Sequence, residues 1–159
     1  IVPLEVGSPT LRACERIVDK LSSRFELRGS NGVDVVISED GVPYVVEVNP
    51  RFQGTIECVE RALGLNLVRM HVNACIGGFL PPRLRTPSTF FTRLILYAPE
   101  RAAAPDLTRF RDVRDIPLPG VIIEGGEPIC SVITEGRGRS TSLSRAYSRA
   151  GSIYGMLSR

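Results

Sequence analysis

The sequence is nearly empty of several residue types on which common chemistries depend. It holds one histidine, His71, in 159 residues, which argues against a histidine-rich zinc site and against a Ser-His-Asp triad. Set between Met70 and Val72 in a helical pattern, that histidine reads as structural. Aromatic residues make up 6% of the chain, too few for the stacking platforms that bind single-stranded nucleic acid, and no nucleic-acid partner is expected. No apolar run reaches the roughly 18 residues of a membrane-spanning helix, so no membrane partner is expected either. Lys20 is the only lysine beside nineteen arginines. Cys14, Cys58, Cys75 and Cys130 form no C-x-x-C pair, and each has apolar neighbours, as in Ala74-Cys75-Ile76. They read as small buried hydrophobes of a reduced, cytoplasmic protein.

What is present is an ordinary globular composition, 43% hydrophobic and 23% charged, enough for one domain with a substantial core or one and a half small ones. The net charge of +3 is unevenly spread. Residues 1 to 80 carry eight basic and ten acidic residues, and residues 81 to 159 carry twelve and seven. The second half can therefore attract an anion, with Arg83, Arg85 and the Arg137-Gly138-Arg139 run as its basic clusters. The chain opens on Ile1, and Pro3 and Glu5 interrupt any signal-peptide pattern. We expect it to be a piece of a longer protein.

The informative stretch is Gly32 to Gly54. Val33 to Ser38 and Tyr44 to Asn49 are rich in β-branched and aromatic residues and flank a Glu39-Asp40-Gly41 turn signal, which predicts a β-hairpin. A two-residue turn at Asp40-Gly41 sets Asp34 directly opposite Glu47. Strand alternation puts Asn49 on the face of Glu47, with Val46 and Val48 pointing the other way. Two carboxylates about 5 Å apart repel unless a charge compensates them. Oxygen-only donors suit Mg²⁺ (or Mn²⁺), which takes few protein ligands and completes its shell with water and phosphate oxygens. Arg51, just past the strand, can hold a phosphate in bidentate fashion. A solvated acidic face with Arg51 as counter-ion is the plain alternative.

Glu47-Val48-Asn49-Pro50-Arg51, with an acidic residue thirteen positions upstream and a helix after it, resembles the C-terminal lobe of ATP-grasp enzymes such as biotin carboxylase, carbamoyl phosphate synthetase and carboxylate-amine ligases. The resemblance implies that Asp34, Glu47 and Asn49 are metal ligands and that Arg51 is the basic residue near the transferring phosphate and acyl substrate. It implies ATP and Mg²⁺ as cofactors, a small-molecule carboxylate as substrate, and room for a homo-oligomer. The lysines and glycine-rich flap of those enzymes lie on a separate lobe, so upstream domains are expected outside these residues.

In chain order, Leu11, Cys14, Ile17, Val18 and Leu21 predict an amphipathic helix, with Ser8 or Thr10 at its start beside Pro9. Phe25 to Arg28 reads as a short strand. A helix from Gly54 or Thr55 to Leu63 follows, whose Glu57 and Glu60 read as solvated or as further acidic groups near the hairpin, and then a helix from Leu67 to Ile76 with Val68, His71, Val72 and Cys75 as its apolar row. Pro81-Pro82 and Pro87 read as a linker and Phe90 to Tyr97 as a strand. Residues 98 to 112 read as an irregular excursion, functional or poorly ordered. Val121 to Glu124 and Ile129 to Ile133 read as a second hairpin. The last helix has Ser140 or Ser142 as cap and a stripe of Leu143, Ala146, Tyr147, Ala150, Ile153, Tyr154 and Leu157. Gly136 and Gly138 with their arginines read either as a phosphate loop or as a surface loop. This tail resembles the one that follows the ATP-grasp core in biotin carboxylase.

The fold expected is α/β (α+β), an antiparallel sheet flanked by helices, with residues 1 to 80 as the C-terminal lobe and 81 to 159 as its continuation and tail. The function expected is that of an ATP-dependent ligase activating a carboxylate as an acyl phosphate. A non-catalytic nucleotide-binding or regulatory module and an Arg-rich interaction domain for an acidic partner stay open.

Overall fold

The computed structural model describes residues 1–78 and 87–157. The Pro81-Pro82 signal and the Arg83 and Arg85 cluster lie outside the described residues. The chain forms two units, Leu4–Arg85 and Ile1–Pro3 with Thr86–Arg159.

The first unit contains α1 (Ser8–Arg24), β1 (Gly32–Ile37), β2 (Pro43–Asn49), α2 (Ile56–Leu63) and α3 (Leu67–Gly77). Pro9 opens α1 where no amide hydrogen is needed, but the cap residue is Gly7 and no side chain caps the helix. The Thr10 hydroxyl instead donates to the Gly41 carbonyl at 2.8 Å, tying α1 to the hairpin turn. Phe25 to Arg28 is not a strand. The helix end curls over itself through Leu27 N–H to the Ser22 carbonyl at 3.0 Å, with Glu26 at φ +49°.

β1 and β2 pair antiparallel. The turn is larger than the two-residue one expected: Gly41 N–H donates to the Ser38 carbonyl, Ser38 N–H to the Val42 carbonyl, and Gly41 takes a φ of +83° that glycine adopts without strain. The Ser38 hydroxyl donates to Asp40, which holds that carboxyl below its ordinary range. A bulge then absorbs the extra residue. Val35 pairs with Val45 and Asp34 with Glu47, so Val46 has no partner. The expected opposition of Asp34 and Glu47 is thus present, restored by the bulge.

Gly64 in the left-handed region (φ +65°) ends α2. Asn66 caps α3 by accepting from Arg69 N–H at 2.7 Å, and the Glu60 carboxylate accepts from Leu67 N–H at 2.7 Å. Glu57 pairs with Arg61 at 2.6 Å. Both glutamates therefore shape helices rather than extend the hairpin's acidic face. The buried side of α3 is rotated from expectation: Ala74 is buried and His71 half-buried, while Val68, Val72, Cys75 and Ile76 are exposed.

The second unit contains β3 (Phe90–Tyr97), β4 (Ala102–Ala103), β5 (Val113–Arg114), β6 (Ile122–Ile123), β7 (Pro128–Gly136) and α4 (Arg139–Tyr154). β7 is central, between β3 and β5, all antiparallel. β6 pairs with β4 and not with β7, so the expected second hairpin does not form. Its connection is clasped from outside: Gly126 N–H donates to the Ala98 carbonyl and Ala98 N–H to the Glu127 carbonyl, both at 2.8 Å. The 98 to 112 excursion is part of the core. Ala98, Ala104 and Leu107 are buried with Leu96, Val113, Val132, Ala150 and Ile153. On α4 the buried row is Ser142, Ala146, Ala150 and Ile153, whereas Tyr147 and Tyr154 are exposed. Gly138 is the cap residue, and Ser142 lies fully buried, sharing a 2.7 Å hydrogen bond with Thr92 and donating to the Thr134 carbonyl. Overall the fold is mixed α/β with antiparallel sheets, as expected, but its strands fall into three small sheets. None of the four cysteines is in a disulfide, and Cys58 and Cys130 are buried while Cys75 is exposed. Among the described residues, no helix is long and apolar enough to cross a membrane.

Candidate functional site

The open end of the β1–β2 hairpin gathers the chemistry. Asp34 and Glu47 are exposed cross-strand partners, and neither has an ion-pair partner among the described residues. Asn49, 6% exposed, directs its amide nitrogen to Asp34 Oδ2 at 3.2 Å, which confirms that the two share a face. Arg51 does not neutralise them. Its guanidinium donates to the Phe52 carbonyl at 3.2 Å, and its backbone N–H closes a tight turn on the Asn49 carbonyl at 2.8 Å. The counter-ion reading of Arg51 therefore finds no support in the geometry.

Two carboxylates and one amide oxygen are the hard donors that Mg²⁺ prefers. They fit that ion by their chemistry, because a cross-strand like-charge pair at this spacing is unfavourable until a cation compensates it. Among the described residues no three His, Cys, Asp or Glu side chains converge. A cation here would rely on water and phosphate for most of its shell.

Sequence reasoning missed two supports of this end. Gln53 turns back beneath it, its amide nitrogen donating to the Arg51 carbonyl at 3.0 Å and the Asn49 carbonyl at 3.4 Å. The Gln53 side chain fills the space that a Cβ at residue 32 would occupy, which explains Gly32. His71 of α3 reaches Ser30 and Phe52. Glycines at 29 and 32 mark a turn in the sequence, but nothing local in it names the side chains that fill the room they leave.

The basic loop before α4 is ordered by backbone contact. A Cβ at residue 136 would lie 2.5 Å from the Ser142 nitrogen, and Arg145 donates to the Glu135 carbonyl at 2.9 Å. Thr89, Arg137, Thr141 and Arg145 line an open cavity of about 540 Å³ there, with Glu135 beside them.

A family model described as an ATP-grasp domain matches residues 4–55, the segment that holds all four expected site residues. An uncharacterized protein of Methanocaldococcus jannaschii is 34% identical over 119 residues, covering 75% of this chain. The carbamoyl phosphate synthase large chain of Thermoplasma acidophilum is 25% identical over 97 residues, covering 61%. The crystal structure of L-amino acid ligase from Bacillus licheniformis superposes over 98% of this chain with a TM-score of 0.71, at 15% identity. By the family match, residues 4–55 of this chain are an ATP-grasp segment. The chain spans 29% of the length of the M. jannaschii relative, 9% of the synthase and 42% of the ligase. The ATP-grasp match ends at residue 55, whereas the likeness in fold to the ligase covers 98% of the chain.

Proposed function

We propose that this chain is the metal- and phosphate-facing part of an ATP-dependent ligase that activates a small carboxylate as an acyl phosphate and joins it to an amine or another nucleophile. The observation that carries this reading is the Asp34–Glu47 pair, without an ion-pair partner among the described residues and bonded through Asp34 to Asn49, inside an ATP-grasp segment. Asp34, Glu47 and Asn49 would hold Mg²⁺. When bound, that ion supplies charge neutralisation on the phosphate oxygens.

The residues of the chain act by placement. Asp34 and Glu47, presented from opposite strands of one ladder, would hold the ion that offsets the charge of the ATP phosphates. A substrate carboxylate oxygen attacks the γ-phosphorus, ADP leaves, and the nucleophile then displaces phosphate from the acyl phosphate. Arg51 releases the Phe52 carbonyl and pairs with the acyl phosphate, a permanent positive charge that needs no proton. No histidine or cysteine dyad is required, since positioning and electrostatics carry such transfers.

The test is calorimetric titration of MgATP and MgADP into the intact protein, its Glu47→Gln variant and its Asp34→Asn variant. Binding that needs Mg²⁺ and is lost in both variants, with turnover abolished and the fold unchanged by circular dichroism, is the expected result. Metal-dependent turnover that survives in both variants would overturn the site.

A further inference from the structure

The hairpin is closed at its turn by Ser38 and Gly41, but its functional end lies at the other extremity, where the strands leave the ladder. There, strand ends fray unless something outside the ladder holds them. His71 touches both departing chains. Ser30, two residues before β1, donates its backbone N–H to His71 Nδ1 at 3.0 Å. Phe52, directly after Arg51, packs its ring on the imidazole with centroids 4.8 Å apart and planes at 53°.

The surroundings are shaped for this contact. Gly29 has φ +69°, and a Cβ there would overlap the imidazole, so residue 29 is glycine on both counts. Asn31 donates to the carbonyls of Arg28 and Gly29, both at 3.1 Å, setting the bend that aims Ser30 N–H at the ring. α3 is itself anchored by the Asn66 cap and the Glu60 bond to Leu67, so the ring stands on a fixed base. A backbone N–H can only donate, so Nδ1 carries the lone pair and Nε2 the proton. Nε2 faces Cys75 Sγ at 3.7 Å.

We infer that His71 is a positioning residue of the carboxylate site: its neutral, Nε2-protonated imidazole clamps the entry of β1 and the Arg51-Phe52 exit of β2 together. It reaches none of Asp34, Glu47 or Asn49 and is not catalytic. The inference rests on the proposed reading of the hairpin, and it predicts which half of the imidazole matters. The acceptor sets the Asp34 strand, and the ring face sets Arg51.

The experiment uses the intact protein with Mn²⁺ as probe, its affinity read by electron paramagnetic resonance, alongside kcat and KM for ATP. His71→Phe keeps a ring on Phe52 but removes the acceptor. His71→Asn restores an acceptor near the Nδ1 position without the ring. The first variant should weaken Mn²⁺ binding by about tenfold, the scale of lost second-sphere support. The second should recover most of that affinity while keeping a lowered kcat, because Arg51 loses its backing.

Wild-type affinity in His71→Phe, or equal loss in the two variants at unchanged melting temperature, overturns the clamp. The nitrogen-15 spectrum of His71 gives a readout free of metal and turnover: an unprotonated Nδ1 and a protonated Nε2 support the clamp, and the opposite tautomer sinks it. Absence of Glu47-dependent Mn²⁺ binding in the wild type would sink the reading of the hairpin instead, leaving the tautomer result to judge the clamp alone.

Discussion

The two units of the chain are stabilised by different means. The unit from Thr86 to Arg159 has a closed apolar core in which Leu96, Leu107, Val132 and Ile153 are essentially inaccessible, together with the Thr92–Ser142–Thr134 hydroxyl cluster. The unit from Leu4 to Arg85 holds every residue of the candidate site, yet Cys58 and Ala74 are its buried hydrophobic residues among those described, and Val36, Tyr44, Val45 and Val46 are exposed on the hairpin. It is joined by directional links instead: Thr10 to Gly41, His71 to Ser30, Asn49 to Asp34 and Glu60 to Leu67. Burial is forgiving of small shifts, whereas a hydrogen bond is not. A ligand set that must keep its geometry is therefore better framed by the second kind of contact.

That contrast can be broken deliberately. The largest effect is expected from Leu107→Ala, which opens a cavity in the closed core and should cost about 2–5 kcal/mol in urea unfolding of the intact protein. Glu47-dependent metal affinity should stay as it was, and an equal loss of affinity would show that the two kinds of stabilisation are not separable. Ser142→Ala comes next. It leaves the buried Thr92 hydroxyl without its 2.7 Å partner, and a loss of about 1–3 kcal/mol should follow, visible as a lowered denaturation midpoint.

The smallest effect is one of pH. Burial, aided by the charge of Asp115, pushes the Cys130 thiol up to about 11 from an ordinary 9.0. Below pH 9 the thiol is protonated in folded and unfolded chains alike and changes nothing. Between about pH 9 and pH 11 only the unfolded chain ionises there, so stability must fall as pH rises. Urea midpoints of the wild type and Cys130→Ala across that window should diverge, with the variant losing less. Parallel curves would refute the assignment.

The legible part of the site was the part set by short-range pattern. Asp34 opposite Glu47 follows from strand alternation and a turn signal, even though the loop is longer than the two residues expected and a bulge at Val46 restores the pairing. The illegible part depends on partners distant in sequence. Ile122 and Ile123 are strand-like by composition, but their choice of Ala102 and Ala103 over the adjacent β7 is made by a backbone clasp at Ala98 that no local pattern encodes. On α3 the period was readable and its phase was not, because Val68, Val72 and Ile76 outnumber the residues that face inward. The single antiparallel sheet expected is divided into three sheets for the same reason.

The β1–β2 ribbon also governs how the chain behaves toward its own kind. A two-stranded sheet leaves each strand with one unmatched hydrogen-bonding edge, and such edges recruit further strands unless charge, proline or cover discourages them. Neither strand carries a lysine or arginine, and Pro43 guards just one end. Asp34 and Glu47 are thus the ribbon's sole charged gatekeepers against strand addition. Neutralising them, by substitution or by a bound cation, removes the repulsion that keeps neighbouring ribbons apart, so solubility and ligand occupancy pull on the same two side chains.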